Sequence, residues 1–246
     1  MSNAFQRGAW YDRWLASDAE EELEANGLQG QGRAIIAEFN QLYERTGTLR
    51  RMVGILLPAI REAYAANPRP VRLLELSARD GTLMHMVREA AAADAIPVDL
   101  HAVEFRQDTA EFAREQCEQR GDPVTIHLDS SQVLDGFQLP GVDIVYSTFL
   151  LHHRTPRQCL DICNTSQRLA RHGVYHFDPI RSLLGVSLSW TFYTFAGFSV
   201  SKRDSILSVR RSFRPYELRR LLEQAVAEWQ VDRQGPLYQV ARWPSD

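Results

Sequence analysis

Three carboxylates stand where short apolar runs end: Glu75 after Val71-Arg72-Leu73-Leu74, Glu104 after Leu100-His101-Ala102-Val103, and Asp129 after Val124 to Leu128. The first opens a turn, Glu75-Leu76-Ser77-Ala78-Arg79-Asp80-Gly81, beyond which Leu83, Met86, Val87 and Ala90 share the spacing of one helix face. Strand, tight turn and helix N-terminus together aim backbone N–H groups at the carboxyl end of a buried strand. Open α/β sheets bind nucleotide-like ligands there. A carboxylate at that point repels phosphate and suits an amine or a ribose hydroxyl. The turn therefore reads as a site for an adenosine-bearing ligand with a cationic part.

Further along, His152 and His153 follow a fourth apolar run, Val142 to Thr148. Imidazole titrates in the range needed to deprotonate or bind a hydroxyl; the bland alternative is a solvated loop or packing histidines. Adjacent histidines are expected to point different ways. With no other ligand at metal spacing, no metal site is expected. Asp178 ends a fifth run, where it either orients a substrate or caps the next turn. Trp190, Phe192, Tyr193, Phe195 and Phe198 crowd one segment. They read as core or lid packing, or as a wall whose ring faces attract a cation, worth roughly 0.5 to 2 kcal/mol. Tyr11 is either a packing aromatic or a lid residue.

The elements that must hold these residues can be read in order. A chain of 246 residues with 44% apolar content can bury a full core, as one large domain or one domain plus a lid. Residues 1–66 read as a helical leader, and Asn67-Pro68-Arg69-Pro70 breaks it to begin a sheet domain over 67–246. There strand-like and helix-like segments alternate, which predicts a parallel sheet with right-handed crossovers and helices on both faces. Residues 180–214 leave that alternation as a helical, aromatic cap insertion. Trp229 to Asp232 and Leu237 to Trp243 flank Gln234-Gly235-Pro236 as an edge hairpin.

Composition narrows the classes. A net charge of −3 gives no bulk argument for nucleic-acid binding. Cys117, Cys159 and Cys163 lack metal spacing and read as reduced, buried thiols. The chain opens with no signal peptide, and no apolar run reaches the roughly 18 residues of a membrane helix, so a soluble cytoplasmic protein is expected.

With those residues placed, the chain resembles the class I S-adenosylmethionine (SAM)-dependent methyltransferases from about residue 40 onward. The resemblance implies a Rossmann-like fold with a mostly parallel seven-stranded sheet. In that family the first strand ends in an acid before a glycine-rich turn, the second in an acid that holds the ribose hydroxyls, and an acid after the third reads adenine. Those positions are matched by Glu75 to Gly81, Glu104 and Asp129. Val142 to His153 is similar to the family's fourth motif, and Ser208 to Leu218 to the segment that follows a substrate cap. The implied cofactor is SAM, on Glu75, Ser77, Arg79, Gly81, Glu104, Phe105, Asp129, Ser130 and Thr148. Catalysis would fall to His152 and His153, and the substrate or lid positions to Tyr11, Asp178, Trp190 and Tyr193.

One departure matters. The acid-x-Gly-x-Gly-x-Gly turn reads Glu75-x-Ser77-x-Arg79-x-Gly81, so only the last glycine is kept. Glycines normally let the backbone approach the methionine half of SAM closely. Three readings of Arg79 are open: it points to solvent, it clamps the methionine carboxylate, or it spoils the site. The expected function is methyl transfer to a small molecule in specialised or cofactor metabolism. The alternatives are an intramolecular reaction of SAM itself, closing a small ring and releasing methylthioadenosine, and a non-catalytic protein with a vestigial site. The expected partner is a small-molecule substrate or SAM itself, with no nucleic acid and no membrane; a homodimer stays open.

Overall fold

The computed structural model describes residues 16–17, 19, 21, 25–28, 31–195 and 200–244. Tyr11 and Phe198 lie outside the described residues. The first long elements are helices α1 (Gly32–Thr46) and α2 (Thr48–Ala66). Strand β1 (Val71–Leu76), helix α3 (Thr82–Ala93), β2 (Val98–Glu104), α4 (Gln107–Arg120) and β3 (Val124–Leu128) follow. Then come β4 (Ile144–Thr148), a 3₁₀ turn (Leu151–His153), α5 (Pro156–Leu169) and β5 (Gly173–Pro179). The cap is α6 (Leu183–Phe195) and α7 (Lys202–Arg211), before α8 (Pro215–Leu222), β6 (Gln230–Gln234) and β7 (Tyr238–Trp243).

The seven strands form one sheet in the order β3-β2-β1-β4-β5-β7-β6. Neighbours among β1 to β5 are parallel, and β7 runs antiparallel to both β5 and β6. The order reverses direction between β1 and β4, so a crevice opens beyond their carboxyl ends. Glu75, Glu104 and Asp129 stand at the carboxyl ends of β1, β2 and β3, on that side of the sheet. Boundaries shift by one or two residues from the sequence reading: the fourth strand starts at Ile144 rather than Val142.

The apolar periodicity explains which face each helix covers. Ile35, Phe39 and Tyr43 of α1, and Met52, Leu56 and Ile60 of α2, share one core with Leu73, Leu100 and Tyr146 of the sheet. Cys159, Ile162 and Cys163 of α5 join Leu218 and Leu221 of α8 in a second core on the opposite face. All three cysteines are free and buried. Local signals set the helix starts. Thr155 and Gln158 form a capping box with Pro156 at the first helical position, so α5 begins where that pattern demands. No helix among the described residues is long and apolar enough to cross a membrane.

Asp143, just before β4, fastens the sheet's centre. It is buried and accepts from Arg69 Nη1 and Nη2 at 2.9 and 2.7 Å and from the Arg72 backbone N–H at 2.8 Å. Removing the acceptor leaves the start of β1 without its anchor. Asp143→Ala is expected to cost about 2 to 3 kcal/mol. Urea unfolding should show a lower midpoint with an unchanged slope; an unchanged midpoint would mean the contact contributes nothing net.

Candidate functional site

The crevice is a cavity of about 420 Å³, within the usual size of small-molecule sites. The strand ends supply Ser77, Arg79, Glu104 and Phe105 to its floor, and α1 supplies Phe39 and Tyr43 to one side. The cap closes it with Leu188, Phe192 and Tyr193 of α6 and Ser208 of α7, while His152, His153 and Glu21 stand at the far end.

The turn keeps the course that glycines would give it, although only the last of them, Gly81, is present. Ser77 has φ 62°, Arg79 φ 58° and Gly81 φ 73°, all in the left-handed region. For a side chain with a Cβ this costs on the order of 1 to 2 kcal/mol per residue. Phe149, directly after β4, is held at φ 56° as well. Three strained residues therefore line one cavity, the pattern expected of a functional site held by its surroundings. The Arg79 backbone N–H donates to Glu104 Oε1 at 2.6 Å, which locks the turn to the end of β2. Asn40 of α1 donates to Asp80 at 2.6 Å and holds the turn from outside.

Arg79 is half-buried and turns into the cavity rather than outward to solvent, so that reading is corrected. Its guanidinium lies over the rings of Tyr43 at 5.8 Å and Phe149 at 5.6 Å, inside the cavity. Two ring faces and the nearby acids compensate the desolvated cation. Burial alone would lower its pKa, but Tyr43, Asp80 and Glu75 outweigh this and raise it.

The two strand-end glutamates are both buried and both resist ionisation. Burial pushes Glu75 up to about 8, with Arg79 opposing and Glu104 adding to the rise. Thr148 donates to Glu75 Oε1 at 3.3 Å. Glu104 is pushed up to about 7 by burial, against the pull of the Arg79 N–H, Thr109 and the Arg79 charge. Only Glu104 of the pair lines the cavity; Glu75 and Thr148 lie beneath it, and Gly81 lies outside its wall.

The histidines are the second centre. His152 is buried, with Nδ1 2.8 Å from Asp178 Oδ1 and Nε2 3.5 Å from Glu21 Oε1. Burial alone would lower its pKa, but Asp178 and Glu21 reverse this and raise it to about 9. At neutral pH His152 therefore carries its proton, rather than standing as the free base expected from its ordinary range. The expectation that the two histidines point apart also fails. Their ring centroids are 4.1 Å apart, and His153 Nδ1 is 3.9 Å from the same Glu21 oxygen. The tight 3₁₀ turn over Leu151–His153 brings them side by side.

No protein-family model matches the chain, and no curated protein matches it in sequence. Solved structures do match. The plantazolicin methyltransferase BamL, in complex with a triazolic desmethylPZN analog and SAH, superposes with a TM-score of 0.61 at 12% identity, over 87% of this chain and 90% of that one. The plantazolicin methyltransferase BpumL in complex with SAH gives 0.59 at 9% identity over 87% and 90%. LepI in complex with SAM gives 0.52 at 12% identity over 74% and 45%. The chain has the class I SAM-dependent methyltransferase fold.

Within this methyltransferase fold, Ser77, Arg79, Glu104, Phe105, His152, His153 and Tyr193 come together at the cavity. Asp129 and Ser130 do not line it. The Asp129 carboxylate is occupied by the loop it begins, accepting from the Ser131 N–H at 2.9 Å, the Ser131 hydroxyl at 2.8 Å and the Leu134 N–H at 2.8 Å. That folded loop delivers Gln132 to the cavity instead. Asp178 is buried behind His152 and acts on it rather than on the cavity.

Trp190 is not part of the wall. It is 53% exposed, with Lys202 Nζ 4.8 Å from its ring. At 100° per residue Trp190 is about 200° around α6 from Phe192, so both cannot face inward. Sequence reasoning missed Tyr43 and Phe149 as partners of Arg79, and it missed Glu21. Tyr43 was visible only as one apolar helix residue, and Glu21 only as one acid in the run from Asp18 to Glu24.

Proposed function

We propose that the chain is a SAM-dependent methyltransferase acting on a small molecule. The observation that carries this reading is Glu104. A buried carboxylate at the end of β2 faces a cavity across from the positive-φ turn after β1, inside a methyltransferase fold. The residues present suit the cofactor. Glu104 suits a ribose diol, Phe105 and the loop folded by Asp129 suit an adenine face, and Arg79 suits the methionine carboxylate. When bound, SAM supplies an electrophilic methyl group.

The chain's own work is to bind, align and exclude water. Phe192 and Tyr193 line the cap side of the cavity, with Leu188 beside them, and reduce the water that reaches it. His152 is fixed by Asp178 at Nδ1, so its Nε2 edge and the neighbouring His153 hold the acceptor end of the cavity. A small acceptor fits a crevice of this volume better than a polymer does.

The test is product analysis with SAM alone and with candidate small acceptors, against a no-enzyme control. Acceptor-dependent S-adenosylhomocysteine is expected. Rapid enzyme-dependent methylthioadenosine from SAM alone would instead establish the intramolecular reaction. Neither product, with no SAM binding by calorimetry, would leave only a vestigial site.

The raised pKa of Glu104 gives binding a predicted pH dependence. Ribose hydroxyls donate to a carboxylate and favour its ionised form. With Glu104 at about 7 in the free protein, binding below that pH must expel its proton. S-adenosylhomocysteine affinity is therefore expected to rise from pH 6 to pH 7.5 and then level off. Calorimetry at pH 6 in buffers of different ionisation enthalpy should show release of about one proton. Proton uptake, or a flat profile, would remove Glu104 from the diol.

A further inference from the structure

We infer that Glu21, His152 and His153 form a binding site for one divalent transition-metal cation, opening onto the acceptor end of the cavity. Glu21 Oε1 is 3.5 Å from His152 Nε2 and 3.9 Å from His153 Nδ1, and the three donor atoms lie within 4.8 Å of one another. A cation bound at about 2.1 Å in tetrahedral geometry holds its ligands about 3.4 Å apart. The two separations from Glu21 Oε1, 3.5 and 3.9 Å, lie within about half an ångström of that span. Both are longer than the roughly 2.9 Å at which hydrogen bonds usually sit.

The surroundings match as well. Asp178 Oδ1 accepts from His152 Nδ1 at 2.8 Å, which fixes the ring and leaves Nε2 as the ligand atom once the cation displaces its proton. Metal-binding histidines are commonly oriented by a carboxylate in this way. Ser208 donates to Glu21 Oε1 at 2.9 Å and steadies the carboxylate from the cap. Two imidazoles and one carboxylate are a donor set for zinc or ferrous iron rather than for calcium or magnesium. All three residues line the cavity, so the remaining coordination position faces it. An acceptor carrying an oxygen or nitrogen donor would bind there. The inference does not depend on SAM binding.

The experiment titrates the metal-free chain with Co²⁺ and then Zn²⁺, in the absence of SAM. One equivalent of Co²⁺ is expected to give visible d–d absorption, with paramagnetically shifted imidazole protons from two histidines, and Zn²⁺ is expected to displace it. His153→Asn and Glu21→Gln should each weaken binding at least tenfold, with circular dichroism showing that both variants fold. His153→Asn is the safer variant, because its ring is partly exposed. The wild-type spectrum decides the question even if Glu21→Gln is unstable. No binding at millimolar Co²⁺ would show that the cluster is an ion triad only. Binding that survives both variants would place the metal elsewhere and overturn the assignment.

Discussion

Replacing Glu104 with alanine is expected to weaken S-adenosylhomocysteine binding by roughly 10- to 150-fold, the loss of about 1.5 to 3 kcal/mol of charge-assisted hydrogen bonding. The upper part of that range is expected, because the residue does two things. Its carboxylate faces the cavity, and its Oε1 holds the Arg79 N–H at 2.6 Å. Glu104→Gln separates them. It keeps an acceptor for the turn and the shape of the wall but lacks the charge. Calorimetry should place Glu104→Gln between wild type and Glu104→Ala, with the pH dependence gone. If alanine leaves the affinity unchanged, the ribose is not on Glu104 and the cofactor placement fails.

Replacing Arg79 with glycine is expected to weaken S-adenosylhomocysteine by roughly tenfold while leaving adenosine unchanged, since only the former carries the amino-acid carboxylate. The fold should tolerate the change, and magnitudes show why. Losing the two ring contacts at 5.6 and 5.8 Å costs about 0.5 to 1 kcal/mol each. Glycine at φ 58° regains about 1 to 2 kcal/mol of left-handed strain. The two nearly cancel, so thermal unfolding should barely move. Calorimetry with both ligands is the measurement. Equal weakening of the two would give Arg79 a structural role and exclude the carboxylate clamp.

The two predictions rest on residues of different visibility. Glu104 could be found in the chain because a strand end, a carboxylate and a following helix are all local patterns. Arg79 could be found only as an anomaly. A long cation at a glycine position says that something unusual is there, but its direction depends on Tyr43 and Phe149, which lie 36 residues before it and 70 after it.

The sequence by itself determined the layered α/β architecture, the strand-end acids, the helical cap and the edge hairpin. Those features follow from hydrophobic periodicity and turn chemistry, which act over a few residues. It could not determine which way a side chain leaves its element. Asp129 reads as a ligand acid, yet its carboxylate is used by its own loop, and Trp190 reads as wall, yet it faces outward. Nor could it join Glu21 to His152 across 131 residues of chain. A run of acids ordinarily reads as a solvated face, and only tertiary packing removes one of them from water. Burial then sets its chemistry, by making an unpartnered charge too costly and gathering the two histidines around it. The tertiary structure decided the second centre of this site for that reason.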